Sequence, residues 1–383
     1  MPRPEWWTMK SRTIRGARGA IRFRARTMRL AGLLLVALVW VGGAVTAQAK
    51  LDYKVYPIDY CSTSNADTSP YELLNNNCDL TGRWRVNNES HGFVHFKNDM
   101  TITDLGARVI PVKISNQRVV GGTKETYNGQ TFVRSDVCRW NAAGGMKILD
   151  NLGGNSHAYR MNENGAIVGF SFSASPVKYF GCLWEPGKPV VALAEGITPT
   201  AINLAKQVVV KVEAHNQAAL LEGTTYTYLG LLPGGIQNWA RAINESGQVV
   251  GTCVDGSNYL GYGFIWDKVN KLKPLDPTGS HPSDPWAINN KSQVVGTATD
   301  TTTGRKWGFF WTKETGLVEL NECIDRIIDA GWDLRYAYGI NDNGDIVGVG
   351  IYKGQSRAFF LTPSNPGSET MASVLTLLLF SGY

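Results

Sequence analysis

From Tyr53 to Pro363 the hydrophobic residues come in short runs rich in Val, Ile, Phe and Trp, each bounded by Asn, Gly, Ser, Thr or Asp. Short runs of β-branched and aromatic side chains predict strands, and the residues that bound them predict tight turns. One element recurs, as KISNQRVVG (Lys113 to Gly121), RMNENGAIVG (Arg160 to Gly169), AINLAKQVVV (Ala201 to Val210), AINESGQVVG (Ala242 to Gly251), AINNKSQVVG (Ala287 to Gly296) and GINDNGDIVG (Gly339 to Gly348). Its Asn-x-x-Gly predicts the turn, because the Asn side chain can bond its own backbone and Gly accepts positive φ. Ile-Asn then ends one strand and Val-Val-Gly begins the next. The unit at Lys113 reads one residue short, and the unit at Ala201 lacks both glycines.

A second element follows each of these: DVCRW, FGCLW, QAALL, YGFIW, WGFFW and RAFFL, with HGFVH upstream of them all. These runs end at His95, Trp140, Trp184, Leu221, Trp266, Trp311 and Leu361, at intervals of 45, 44, 37, 45, 45 and 50 residues. A period of about 44 residues built of short strands is that of a propeller blade. Segments such as KLKPL (Lys271 to Leu275) and LVEL (Leu317 to Leu320) supply a fourth strand. None follows Leu361, whereas YKVYPID (Tyr53 to Asp59) stands alone near the start, so the amino-terminal strand is expected to complete the last blade and close the ring. The expected fold is an all-β propeller of seven four-stranded blades, one domain over residues 50–363. The seventh first-and-second pair must come from Tyr71 to Asn87, where GRWRV is the convincing strand; without it a six- or eight-bladed ring fits the same period.

The combination of LGLLPGG (Leu229 to Gly235), repeated INxxGxVVG, aromatic strands ending in Trp, and LNECIDRIIDAGWDLRYAYGINDNGDIVG running into AFFLTP resembles the extracellular repeat proteins of the HAF family. The resemblance covers about Tyr53 to Pro363. It implies a bacterial, exported, propeller-like protein and carries over no catalytic residue. His95, Leu221 and Leu361 stand where Trp is usual, which predicts less regular packing in those blades.

Composition supports a folded, turn-rich chain: hydrophobic residues are 43%, charged residues 18%, and glycines number 42. The net charge of +6 is unevenly placed. Residues 1–49 hold nine of the 38 Lys and Arg and one of the 32 Asp and Glu, which leaves 29 basic and 31 acidic residues in the remainder. A near-neutral remainder lacks the clustered cations that nucleic-acid binding needs. The basic stretch, the apolar run Leu30 to Val45 and Ala47-Gln48-Ala49 read as a secretory signal peptide over residues 1–49, with Met28 as an alternative start. The mature chain then has no transmembrane segment, and the expected location is secreted or cell-surface, with the periplasm as a further destination. Residues 364–383 form a separate tail, read as a frayed apolar end that packs on the domain or is removed, or as a degenerate sorting signal that lacks the Pro-Glu-Pro and terminal Arg cluster.

Six cysteines show no metal spacing, and export permits disulfides. Cys61 and Cys78 bracket an Asn-rich excursion and form a candidate pair. Cys138 and Cys182 hold equivalent repeat positions, as two buried thiols or as a pair. His91 and His95, four apart on a strand, are separated by about 13 Å and cannot share one ion. NDNGD (Asn341 to Asp345) reads as a hairpin turn rather than a calcium loop. No metal or other cofactor is expected, and no nucleophile elbow, Ser/His/Asp order or carboxylate pair is legible. Trp140, Trp184, Trp266 and Trp311 follow the period and are read as core. His157, Tyr159, Trp239, Arg241, His281, Trp286, Trp332, Tyr336 and Tyr338 do not, and are expected on loops of one face, where such side chains stack on sugars or anchor a protein. The expected function is a monomeric, non-enzymatic module binding an extracellular glycan or surface protein. A structural surface component and a polysaccharide hydrolase or lyase are the alternatives.

Overall fold

In the computed structural model each run pairs antiparallel with its chain neighbour, and the pairs form seven separate sheets. The structure describes residues 53–58, 74–86, 89–97, 101–325 and 330–364, all within one compact unit, Gln48–Tyr383. The expected leader, Cys61 and the tail beyond Ser364 lie outside the described residues. Among the described residues no helix is long and apolar enough to cross a membrane.

Blade 2 comprises Val109–Ile114, Val120–Asn128, Thr131–Asn141 and Gly145–Ile148, and blades 3 to 6 repeat this order. Their first strands are Gly153–Met161, Ile197–Ile202, Gly235–Ile243 and Ser283–Ile288. Blade 7 takes Trp332–Ile340, Ile346–Tyr352 and Gln355–Pro363 from the end of the chain and Tyr53–Ile58 from its beginning, with Tyr53 opposite Pro363 and Ile58 opposite Ala358. The first strands of successive blades touch one another, so they form the inner ring, and the fourth strands form the outer edges.

Among the described residues blade 1 has three strands, Leu80–Val86, Glu89–Phe96 and Thr101–Ala107, and Leu74, bridged to Leu80, stands in the place of the inner strand. The seventh copy of the turn therefore exists, as LNNNCDLTG from Leu74 to Gly82. Cys78 takes the left-handed place of Gly, at φ 60°. The unit at Lys113 is not short either. Ser115 holds the Asn place, Arg118 the left-handed place at φ 60°, and Gly122 the place of the last glycine.

The apolar residues divide into seven clusters, one at each seam between blades. A sheet stacked on both faces needs this division, because each blade buries two faces against two neighbours. The periodic tryptophans sit in it: Trp184 donates from Nε1 to the Asp150 carbonyl at 2.6 Å, and Trp311 to the Leu275 carbonyl at 2.9 Å. Leu221 and Leu361, in the same place, are as fully buried. The expectation of looser blades there is corrected, since leucine fills the seam without the indole bond.

The recurring Asn does more than make a turn. Asn244 accepts at Oδ1 from the backbone N–H groups of Ser246 and Gln248, and donates from Nδ2 to the Asn289 carbonyl of the next blade at 3.1 Å. The same bond runs from Asn162 to Asn203 (3.0 Å), Asn203 to Asn244 (3.2 Å), Asn289 to Asn341 (2.9 Å), Asn341 to Asn75 (3.0 Å) and Asn75 to Ser115 (2.9 Å). Ser115 is too short to continue it and instead accepts from Val119 N. A second circuit uses the following residue, whose backbone N–H donates to the side chain one blade on: Asn116 to Glu163, Leu204 to Glu245, Glu245 to Asn290, Asn290 to Asp342, Asp342 to Asn76 and Asn76 to Asn116. It is missing where Leu204 offers no acceptor to Glu163. The two gaps fall at different seams, so every seam keeps one bond.

Candidate functional site

The inner strand of each complete blade carries a bulge three residues before the Asn position. In blade 5 Ala240 pairs with Gly251 and Ala242 with Val250, which leaves Arg241 outside the ladder. The corresponding residues are Val112, Tyr159, Thr200, Trp286 and Tyr338. The glycine that ends Val-Val-Gly makes this geometry affordable. A Cβ on Gly251 would collide with the Trp239 carbonyl, and one on Gly348 with the Tyr336 carbonyl. Blade 4 keeps its bulge at Thr200 with Val210 opposite Pro199.

The residues five and three before Asn share one side of the strand and meet their counterparts on the next blade. The Arg241 guanidinium lies 3.9 Å over the Trp286 ring and reaches Asp284 through Nε at 3.3 Å and a terminal nitrogen at 3.0 Å. Trp286 meets Tyr338 edge-on at 5.7 Å, Tyr338 stacks on Tyr336 at 5.9 Å, and Lys306 Nζ sits 5.8 Å over Tyr336. All four of Arg241, Trp286, Tyr336 and Tyr338 are half-buried on the inner ring of strands. Four of the sequence-predicted residues thus form one band across blades 5, 6 and 7. Trp239 lies in the same row, half-buried, and the indole N–H groups of Trp239 and Trp286 have no hydrogen-bond partner among the described residues. Burial pushes the Tyr338 hydroxyl up to about 12, with the neighbouring Tyr336 adding to it, so it remains a donor.

His157 and Tyr159 occupy the same two places in blade 3, 5.4 Å apart, but pack with Phe170 in a separate aromatic group. The Thr123 hydroxyl accepts from Ala158 N at 2.9 Å and lies 2.5 Å from His157 Nδ1, and burial holds this imidazole below its ordinary value, in the neutral form. Trp332 starts the inner strand of blade 7 and stacks on Tyr352 at 4.8 Å. His281 stands on the connection into blade 6, with Nδ1 3.0 Å from Asp276 and its ring edge against Trp307. The loop placement expected for these residues is corrected: only His281 is on a loop, and the others lie on inner strands, Tyr159, Arg241, Trp286 and Tyr338 at the bulge and His157, Trp239, Trp332 and Tyr336 paired within the ladder.

A pocket of about 360 Å³ lies elsewhere on blade 5, walled by Leu232, Pro233, Tyr262, Pro277, Asp255 and Asp276, so LGLLPGG forms one of its walls. At the end of the ring where the Asn turns lie, Lys113 Nζ is 3.0 Å from Glu163. Burial raises Glu245 above the usual carboxylate range, and the charges of Glu163 and Asp342 push the same way. This group gave no sequence signal, because its members come from separate blades.

Cys78 is a free, buried thiol that donates to Asp345 Oδ2 at 3.3 Å. Cys138 and Cys182 are two buried free thiols. His91 Nδ1 pairs with Asp104 at 2.9 Å, and His95 is buried. Among the described residues no three His, Cys, Asp or Glu gather as a metal site.

A family model described as "Protein of unknown function (DUF3466)" matches residues 234–365. No curated protein matches the chain. Among solved structures, the β-propeller domain of the Trilobed protease from Pyrococcus furiosus, described as having an open velcro topology, is similar with a TM-score of 0.55 at 10% identity, over 79% of this chain and 95% of that one. Oligogalacturonate lyase in complex with manganese is similar with a TM-score of 0.54 at 10% identity, over 82% and 98%. A puromycin-hydrolyzing peptidase from Mycobacterium tuberculosis is similar with a TM-score of 0.53 at 11% identity, over 84% of this chain and 56% of that one. At these identities the likeness is one of fold.

Proposed function

We propose that the chain is an exported propeller of the HAF-repeat kind, secreted or held at the cell surface, that binds an extracellular glycan along the inner band of blades 5 to 7. The observation that carries this reading is the unbroken sequence Arg241, Trp286, Tyr338, Tyr336: ring faces and edges, partly open to solvent, with polar groups between them. Sugar rings present apolar C–H faces rimmed by hydroxyls, and flat aromatic surfaces with interspersed donors complement both. The rigid ring holds the band on strands rather than loops, which lowers the ordering cost of binding.

Screening the purified full chain against a glycan array and by polysaccharide pull-down tests this, with reducing-end release followed in parallel. Saturable binding that weakens about tenfold or more in Trp286→Ala is the expected result. Binding unchanged in Trp286→Ala and Trp239→Ala removes the band as the site, and release of sugar ends replaces binding with catalysis.

A further inference from the structure

At the seam between blades 6 and 7 two buried side-chain donors have no hydrogen-bond partner among the described residues. At three blades a threonine on the second strand lies opposite the residue five before Asn: Thr123 opposite Ile110, Thr252 opposite Trp239 and Thr297 opposite Asp284. Twice its hydroxyl crosses to the matching residue of the next blade. Thr123 Oγ1 meets His157 Nδ1 at 2.5 Å, and Thr252 donates to Asp284 Oδ1 at 2.5 Å. The third time that residue is Tyr336, and Thr297 Oγ1, in a side chain only 7% exposed, has no partner among the described residues. The Trp286 indole N–H, on the strand paired with that of Thr297, is buried and likewise has no partner among the described residues. A buried hydroxyl or indole without a partner costs on the order of 1–3 kcal/mol, so two at one seam call for an acceptor from outside the chain.

The nearby carboxylates are already engaged. Asp284 is held by Arg241 and Thr252, and Asp333 by Arg335, Arg305 and Asn321. Lys306, over Tyr336, is exposed and has no ion pair among the described residues. Indole and ammonium can only donate. The complement of this set is a group that only accepts and carries negative charge.

We propose that this seam binds the acidic group, carboxylate or sulfate, of a sugar unit, with Trp286 Nε1 and Thr297 Oγ1 donating to it and Lys306 supplying the opposite charge. This deepens the glycan-binding reading and rests on it.

The test is a titration of the full chain with one glycan backbone in neutral, uronate-containing and sulfated forms, at low and high salt. Acidic forms are expected to bind at least about tenfold more tightly than the neutral form at low salt, with the margin shrinking as salt rises. Lys306→Met, at an exposed position, is expected to remove most of that margin. Thr297→Val keeps the shape of the side chain, so it is expected to weaken binding of the acidic form without lowering the melting temperature. The two acidic arms identify the group that is read. Equal affinity for charged and neutral forms, or an unchanged margin in both variants, overturns the acidic subsite while the glycan-binding reading stands. Binding to none of the three forms overturns both.

Discussion

The side-chain amide of Asn341 donates to the main-chain carbonyl of Asn75 at 3.0 Å, across 266 residues of sequence. Asn341 also accepts at Oδ1 from the backbone N–H groups of Asn343 and Asp345, so one side chain shapes its own turn and ties blade 7 to blade 1. Replacing Asn341 by Ala removes these bonds and leaves the Asn75 carbonyl with the Cys78 backbone N–H as its remaining partner. The expected loss is about 2–3 kcal/mol of unfolding free energy, read from denaturant midpoints. An unchanged midpoint would show that the circuit is ornamental to stability.

Ser115 offers the reverse experiment. Ser115→Asn places a donor where the circuit is broken, facing the Asn162 carbonyl, and keeps an acceptor for Val119 N. Stability is expected to rise by about 0.5–1.5 kcal/mol, measured in the same way.

The glycines of Val-Val-Gly are required by the bulge rather than by a turn. Gly348→Ala forces a methyl group against the Tyr336 carbonyl, and the expected cost is about 1–3 kcal/mol. Because this bulge sets Tyr338, with Tyr336 paired just before it, the variant should also lose affinity at the inner band. Calorimetric unfolding and ligand titration of one sample check both.

His157 has a definite pH signature. Burial depresses its native value, so the unfolded chain takes up a proton at a higher pH than the folded one. The stability contributed by the neutral imidazole is complete above the ordinary histidine value of about 6.5. It declines as pH falls through that value toward the lowered native one. His157→Gln should therefore flatten the dependence of the unfolding midpoint between neutral and mildly acidic pH, and a parallel dependence in both proteins would refute the assignment.

Cys138 and Cys182 are pushed up to about 12 by burial. At pH 8 roughly one thiol in ten thousand is then ionised, and the thiolate is the reactive form. Alkylation of these two residues, followed by peptide mass analysis, should be negligible in the native protein and complete in denaturant.

The period, the turn and the closing strand were legible because each rests on a local need of the backbone. Asn and Gly mark a turn wherever the chain reverses, and Tyr53 to Asp59 had no neighbour with which to pair. Blade 1 was harder to read, since Cys78 replaces the glycine and Leu74 is all that remains of the described inner strand. Four residues of the band were legible as a set because they depart from the repeat. Their location was not, because a bulge is a property of strand register, which appears only when Ala240 is seen opposite Gly251 and Ala242 opposite Val250. Thr297 carried no signal: its buried hydroxyl is unusual only by comparison with Thr123 and Thr252 across the blades.

The split composition of blade 7 also sets an order of events. A chain that emerges amino terminus first presents Tyr53–Ile58 at the outset, but its partner, Gln355–Pro363, arrives after every other blade. Throughout synthesis the ring is an open arc with one strand held in waiting. Contacts of such long separation form slowly, so closure is the final step, and premature termination anywhere before Ala358 leaves an arc whose two ends have nothing to grip.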